Sequence, residues 1–402
     1  MRLYQKWTAN VVILICICAS IWYILDQHSS ENAPYRRAQI PTSLQYTPSS
    51  EISHTSQRKS PAKNVVFLKV HKVGGSTLMN MFYRYAYSKN LNLVVPIDTK
   101  DARWNYLGFN TTLHTKNIVP LPRGEEYNIL CNHVLYDKVA FSKIMPKDSV
   151  YVTILRNPAE QFVSAAMYYN FLTSLEIKTR KHIGKQPIPE IFHEYFLHND
   201  KYDEVDTFHV RNKMSHDLGL PMHRFDDKVF IHAFIRNLTI DYDLVMLMEY
   251  FTESVILMRR HLSWVLEDVV FIPLNVNLEK KKKDSLLYND DINFLSKWNY
   301  ADFQLYKHFE QIYMMQVEAE GPSLQQEVTY FEKLLKQIGQ FCNSGNEIMT
   351  VTESKWSKAF SVSKEQCTMM TSDALPVIKT AIRKSRKRFN SWASSNGIKV
   401  LP

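Results

Sequence analysis

Lys72 stands two residues before the glycine pair Gly74-Gly75, and Ser76-Thr77 follow directly, within N-V-V-F-L-K-V-H-K-V-G-G-S-T (64–77). The run Val65-Val66-Phe67-Leu68 ahead of the lysine has the β-branched and aromatic make-up of a buried strand. Behind it, Thr77-Leu78-Met79-Asn80-Met81-Phe82-Tyr83-Arg84 opens as a helix with one apolar face. A strand, a glycine turn and a helix N-terminus aim backbone N–H groups and the positive end of a helix dipole at one point. Such a point holds a phosphate, so the segment predicts a phosphorylated nucleotide as ligand. A P-loop NTPase reads G-x-x-x-x-G-K-[ST], with its lysine after the second glycine. Here the lysine comes first and the loop is shorter. It suits one terminal phosphate or phosphosulfate, with Lys72 at the bridging oxygen, and speaks against an ATPase or kinase.

A second anion site is predicted at the end of another strand. Ser149–Leu155 is strongly β-branched and ends at Arg156-Asn157-Pro158, where Asn157 can cap a helix and Pro158 can occupy its first turn. Ser164 lies eight residues after Arg156, about two turns into that helix, on the side that can face the strand end. A guanidinium fork with a hydroxyl can hold a further phosphate. Two phosphate sites on one nucleotide suggest 3′-phosphoadenosine-5′-phosphosulfate, whose 3′-phosphate ATP lacks. No C-x-x-C or H-E-x-x-H pattern occurs and the histidines lack metal-ligand spacing, so no metal site is expected.

These residues need a frame. Leu91–Ile97, Tyr127–Val134 (ending near Asn132-His133) and Leu244–Leu247 read as further strands, the last leading through Glu249 into a helix over Thr252–Leu266. Asn299–Glu320 and Gln325–Phe341 read as amphipathic helices. Strands alternating with helices predict an α/β fold: a central parallel sheet flanked by helices, with ligands at the carboxyl ends of its strands.

In this order the chain resembles the Golgi galactose 3-O-sulfotransferase family, galactosylceramide sulfotransferase-like. The resemblance rests on F-L-K-V-H-K-V-G-G-S-T (67–77), C-N-H (131–133) and I-L-R-N-P-x-x-Q-F-x-S (154–164). It continues through R-N-x-M-x-x-D-L-G-L (211–220), M-E-Y-F-x-E-S-x-x-L-x-R-R (248–260) and L-S-K-W-N-x-x-D-x-x-L-Y-x-H-F (295–309). The family's loop reads H-K-T-[GA]-S-S-T, and Val73 and Gly75 here replace a Thr and a Ser.

The resemblance implies a P-loop-like sulfotransferase fold and sulfuryl transfer to the 3-hydroxyl of a terminal β-galactose. The acceptor would be a glycolipid of the galactosylceramide type or a glycoprotein glycan. Lys72 would stabilise the leaving oxygen and sulfonate, and Gly74, Gly75, Ser76 and Thr77 would donate to the 5′-phosphate. Arg156 and Ser164 would hold the 3′-phosphate, and Lys69 would add charge. For the base, the resemblance favours His133 at its strand end over His71, which could instead orient Lys72 or contact the sugar. Arg211 and Asn212 either line the cleft or pair with Asp217; Glu249 either accepts from a sugar or partners Arg259. Trp264 and Trp298 are expected in the core. The competing functions are a glycosaminoglycan uronyl 2-O-sulfotransferase, a lumenal P-loop kinase and a non-catalytic glycan-binding relative.

The whole chain fits this frame. Its 402 residues, 45% apolar and 12% aromatic, allow a sizeable core. The net charge of +9 suits anionic ligands and is too diffuse to predict nucleic-acid binding. Residues 1–6 read as a cytoplasmic tail, 7–25 as a transmembrane signal anchor, 26–62 as a Ser/Thr/Pro-rich lumenal stem, 63–341 as the catalytic domain and 342–402 as a C-terminal extension. Arg2 and Lys6 before the apolar span orient it as a single-pass type II Golgi membrane protein with a lumenal body. A cleaved signal peptide competes, but no small-x-small site follows Leu25. N-x-[ST] triplets at Asn110 and Asn237 are candidate N-glycan sites. An oxidising lumen permits one disulfide, with Cys342–Cys367 the favoured pair and Cys131 a buried thiol. Oligomeric state is left open, a homodimer among the choices.

Overall fold

Four short apolar runs become the parallel strands of one sheet: β1 (Val65–Leu68), β2 (Ile129–Leu130), β3 (Val150–Leu155) and β4 (Leu244–Leu247). Every residue in them is buried, which accounts for continuous apolar runs instead of alternation. The coordinates are a computed structural model describing residues 60–97, 106–108, 110–272, 286–372 and 374–401. The expected tail, the anchor at 7–25 and the stem up to residue 59 lie outside the described residues. Among the described residues no helix is long and apolar enough to cross a membrane.

The strand order is β2-β1-β3-β4. Chain leaving β1 pairs next on one side, and β3 then pairs on the other, so the β1/β3 boundary is a topological switch point. Connections diverge there and leave a crevice above the carboxyl ends. Leu68 pairs with Thr153, and Leu155 pairs with Leu247. Thus the segments starting at Lys69, Arg156 and Met248 emerge side by side.

The helices follow the expected pattern. Those that bear on the core and the site are α1 (Gly75–Ser88), α2 (Pro158–Tyr168), α3 (Phe171–Ile183), α4 (Ile188–Leu197), α5 (Lys213–Asp217) and α6 (Lys228–Asp241). Next come α7 (Phe251–Leu262), α8 (Asn289–Trp298), α9 (Tyr300–Glu320), α10 (Pro322–Cys342), α11 (Lys364–Thr371) and α12 (Ala374–Ser395). Asn157 caps α2 as its sequence predicts, its side chain accepting from Ala159 N at 3.0 Å, with Pro158 in the first turn.

Two expected strands shrink. Tyr127–Val134 keeps only Ile129–Leu130, because the chain beyond turns toward Tyr106: Leu107 N donates to His133 O at 2.8 Å. Leu91–Ile97 makes isolated pairings at Leu93 and Pro96, where proline has no N–H to extend a ladder.

The main core packs α1 and α7 on the sheet. Phe67 stacks on Phe82 with centroids 5.0 Å apart, and Trp264 stacks on Tyr85 at 3.7 Å. Trp264 also donates to Ala62 O at 2.9 Å, so the ordered domain includes residue 62. Truncating a ring of this kind to Ala costs about 3–5 kcal/mol. A second apolar cluster joins α2, α3, α4 and α8 around Phe162, Phe192 and Leu295, with Trp298 half-buried against it. The C-terminal extension folds back on α1: Asn80 Nδ2 donates to Met369 O at 2.8 Å. Cys342 is disulfide-bonded to Cys367, joining α10 to α11, while Cys131 is a buried free thiol.

Candidate active site

The loop after β1 carries the strongest local constraints. Lys72 adopts φ 62, the left-handed region that costs a β-carbon-bearing residue energy, and Gly74 follows at φ 80 as the N-cap of α1. A Cβ on Gly74 would lie 2.3 Å from Met248 Sδ; one on Gly75 would lie 3.2 Å from Lys69 Cγ. The second contact is tight, so a side chain at position 75 would press on the Lys69 stem. Val73, replacing the threonine, is fully buried in the core. Helix α1 has no side-chain cap and no acidic residue in its first turn. Its first N–H groups are thus left for an anion.

Cationic groups gather around this helix start. Lys72 Nζ sits 3.5 Å from the centroid of Tyr168, and burial together with Arg156 pushes Lys72 down to about 8. Arg156 Nη1 donates to Lys72 O at 3.4 Å, while its Nη2 pairs with Glu160 at 2.8 Å. Ser164 is half-buried on α2 and shares no hydrogen bond with Arg156 among the described contacts. Beside Asn157 opens a cleft of about 510 Å³ walled in part by Lys228, Lys297, Tyr300, Tyr306 and Lys307.

On the other side of the loop lies a histidine cluster. His71 and His133 are both buried and their rings stack, centroids 4.0 Å apart. Lys69 Nζ is 2.8 Å from His133 Nε2, and His133 Nδ1 has no hydrogen-bond partner among the described residues. His71 Nδ1 lies 2.6 Å from Asp217 Oδ2, its backbone N–H donates to the same oxygen at 2.9 Å, and its Nε2 is 2.7 Å from the Tyr106 hydroxyl. Gln161 Nε2, from α2, donates to His71 O at 3.2 Å.

The electrostatics separate the two rings. Burial lowers His71, with Asp217 pulling the other way, whereas burial, Lys69 and His71 together hold His133 well below the usual imidazole range. Burial and the nearby Lys72 push Lys69 down to about 8. Burial alone would raise Asp217, but His71 and Lys213 outweigh it and keep the carboxylate ionised. A water-sized cavity touches His71, Tyr106, Asn110, Phe208, Lys213 and Asp217.

A family model described as galactose-3-O-sulfotransferase matches residues 3–359. The chain belongs to the galactose-3-O-sulfotransferase family. It is a sulfotransferase, and among its relatives is galactose-3-O-sulfotransferase 2 of Mus musculus, 27% identical over 73% of this chain and 73% of that one. Galactose-3-O-sulfotransferase 3 of Mus musculus is 31% identical over 66% of this chain and 60% of its own. The galactosylceramide sulfotransferase of Homo sapiens is 29% identical, covering 65% and 59% respectively.

Within this sulfotransferase the expected site residues fall into two groups. Lys72, the Gly74–Thr77 turn and Arg156 meet at the switch point, and Lys69, His71 and His133 meet beside it. Arg211 does not pair with Asp217; it pairs with Asp226 at 2.7 Å. Asn212 is fully buried away from any cleft. Glu249 does not meet Arg259, which pairs with Glu327 at 2.6 Å; it bridges Asn157 N (2.7 Å) and the Tyr306 hydroxyl (3.0 Å). Sequence reasoning missed Asp217 as a partner of His71, along with Tyr106, Lys213 and Gln161. Gln161 and Asp217 were signalled only as members of the 154–164 and 211–220 motifs, which name residues without saying what they touch; Lys213 fills an unspecified position of the second motif and Tyr106 lies in neither.

Proposed function

We propose that this galactose sulfotransferase takes its sulfuryl group from 3′-phosphoadenosine-5′-phosphosulfate and delivers it to the 3-hydroxyl of a terminal β-galactose. The observation that carries the reading is the adjacency of two sites: an uncapped helix start flanked by Lys72 and Arg156, and a buried imidazole whose second nitrogen faces a hydroxyl. The donor supplies an activated sulfuryl group and leaves as adenosine 3′,5′-bisphosphate.

The chain's own residues do the rest. The N–H groups of Gly75, Ser76 and Thr77 receive the 5′-phosphate, and Lys72 neutralises charge growing on the leaving oxygen. Arg156 takes the 3′-phosphate, with Ser164 further along α2, and the lysine-walled cleft beside Asn157 extends that side toward the nucleoside. We assign the acceptor's proton to His71 in preference to His133. With Nδ1–H on Asp217, His71 keeps its lone pair on Nε2, at hydrogen-bond distance from the hydroxyl of Tyr106. His133 turns Nε2 to a lysine instead.

Glycolipid and glycoprotein galactosides both present this hydroxyl, and the relatives' names support both. The reading includes a Golgi membrane protein held by residues 7–25 with its domain in the lumen. There Asn110 and Asn237 are both exposed candidate glycan acceptors, Asn110 with its Oδ1 2.8 Å from His216 Nε2.

The test is binding and transfer by the full chain. Adenosine 3′,5′-bisphosphate is expected to bind at least about tenfold tighter than AMP, and Arg156→Ala to erase that preference. Equal affinity of the unaltered protein for both nucleotides would remove the donor assignment. Labelled sulfate transfer to galactosylceramide, lactosylceramide, N-acetyllactosamine and desulfated heparin then identifies the acceptor; transfer to heparin alone would favour the uronyl reading.

A further inference from the structure

Two motifs distant in sequence, R-N-K-M-S-H-D (211–217) and W-N-Y-A-D (298–302), share no hydrogen bond with Lys72, Arg156 or Ser164 among the described residues. They are locked to each other instead. Asn212, at φ 46, donates its backbone N–H to Asn299 Oδ1 at 2.8 Å and accepts from Asp302 N at 3.2 Å. Both oxygens of Asp302 accept from the first turn of α5, from Ser215 N at 2.7 Å and Met214 N at 3.1 Å. A buried carboxylate thus caps a five-residue helix whose last residue is Asp217.

Past Asp217 the chain is pinned as well. Tyr136 N donates to Asp217 O at 3.0 Å, and Gly219, at φ 100, has no room for a Cβ, which would sit 2.6 Å from Tyr136 O. This scaffold presents one carboxylate. Its Oδ2 takes both N–H groups of His71, and its Oδ1 takes Lys213 Nζ at 3.0 Å from one turn back. The Lys213 and Asp217 side chains are 2% and 4% exposed.

We propose that Asp217 and Lys213 are positioning residues for His71. In this arrangement Asp217 fixes the proton on Nδ1 and so presents Nε2 as the base, and Lys213 keeps Asp217 ionised while limiting how basic His71 becomes. The inference rests on the assignment of His71 made above. As galactose O3 forms its bond to sulfur and the bond from sulfur to the 5′-phosphate oxygen breaks, the hydroxyl proton passes to His71 Nε2, where O3 takes the place that the Tyr106 hydroxyl holds at 2.7 Å. The imidazolium then lies against a carboxylate that cannot turn away. The other titratable groups facing His71 are Lys69 and His133 on one side, and Tyr106, Tyr169 and His209 on the other.

The two residues act on His71 with opposite sign, which separates positioning from mere support. Removing the Asp217 charge takes away a stabiliser of imidazolium, so His71 becomes less basic. Removing the Lys213 charge takes away a repulsion, so His71 becomes more basic. The experiment measures kcat against pH for the full chain, Asp217→Asn and Lys213→Met with a galactoside acceptor, alongside adenosine 3′,5′-bisphosphate affinity. Asp217→Asn is expected to lower kcat about 10²-fold or more and move the acid limb to lower pH. Lys213→Met is expected to move that limb to higher pH, and donor affinity to change less than about threefold in both. Limbs that stay in place, or move in the same direction, would overturn the proposal. If Asp217→Asn does not fold, an unmoved limb in Lys213→Met suffices to overturn it. An unaltered protein that transfers no sulfate to any galactoside would refute the functional reading itself, whereas an active one with unmoved limbs refutes only the positioning roles.

Discussion

The imidazoles of His71 and His133 are stacked with centroids 4.0 Å apart and planes inclined by 21°, and Lys69 Nζ touches the second ring at 2.8 Å. Three proton-binding groups in van der Waals contact cannot all be charged in a buried site. Of the three, His71 alone is hydrogen-bonded to a carboxylate among the described residues. On the proposed reading the stack divides labour: His71 would exchange protons, while His133 and Lys69 would fill and polarise the wall beside it.

Two alanine variants test that division. His71→Ala should lower kcat about 10²–10⁴-fold with donor binding retained. His133→Ala should lower it less, with the acid limb of the pH profile shifted upward because a ring that disfavours charge on His71 has gone. Full loss in His133→Ala together with residual turnover in His71→Ala would transfer the base to His133.

Gly74 makes the loop's geometry testable through stability. At φ 80, with Met248 Sδ 2.3 Å from where a Cβ would be, Gly74→Ala should destabilise the domain by roughly 1–3 kcal/mol and weaken donor binding. Adding Met248→Ala relieves the clash but not the backbone strain, so melting temperature should recover only in part. Full recovery would mean the backbone carries no strain.

The buried carboxylates Asp302 and Asp217 set opposite pH dependences. Burial raises Asp302 to about 6, so between about pH 4 and 6 the folded chain holds a proton that the unfolded chain releases. Its contribution to stability is present at the acid end and fades as pH rises through 6. Asp217 is held below the ordinary carboxylate range, so its contribution is present above about pH 4 and is lost as pH falls further. Melting temperature against pH is expected to fall on the acid side below about 4. Asp302→Asn should flatten the slope between about 4 and 6, and an unaltered slope there would remove the assignment.

The disulfide between Cys342 and Cys367 joins residues 25 apart in sequence. Cys367→Ser should cost about 2–4 kcal/mol of stability by freeing the unfolded chain. The KM for donor should not move at temperatures where the variant stays folded. A changed KM would show that the C-terminal extension reaches the site.

Much of the frame was legible because it depends on local pattern. Val65–Leu68, Val150–Leu155 and Leu244–Leu247 are apolar runs with little alternative to a buried strand, and Tyr300–Glu320 carries helical periodicity. The Gly74-Gly75 turn and the Asn157-Pro158 cap announce themselves through backbone preferences that hold in any context. Leu91–Ile97 and Tyr127–Val134 were over-read as strands, since whether apolar backbone pairs along its length depends on where its neighbours go.

The class of chemistry was legible in the residue order: a lysine before a glycine turn at a strand end, and an arginine at a second strand end, led to the expectation of a nucleotide with two phosphate sites. Which imidazole has a carboxylate behind it emerges only from the folded chain. Asp217 lies 146 residues from His71, brought there by a helix whose cap, Asp302, is a further 85 residues on. A one-dimensional pattern records residue types, whereas basicity depends on charges within a few ångströms, and those contacts exist only once distant segments have packed.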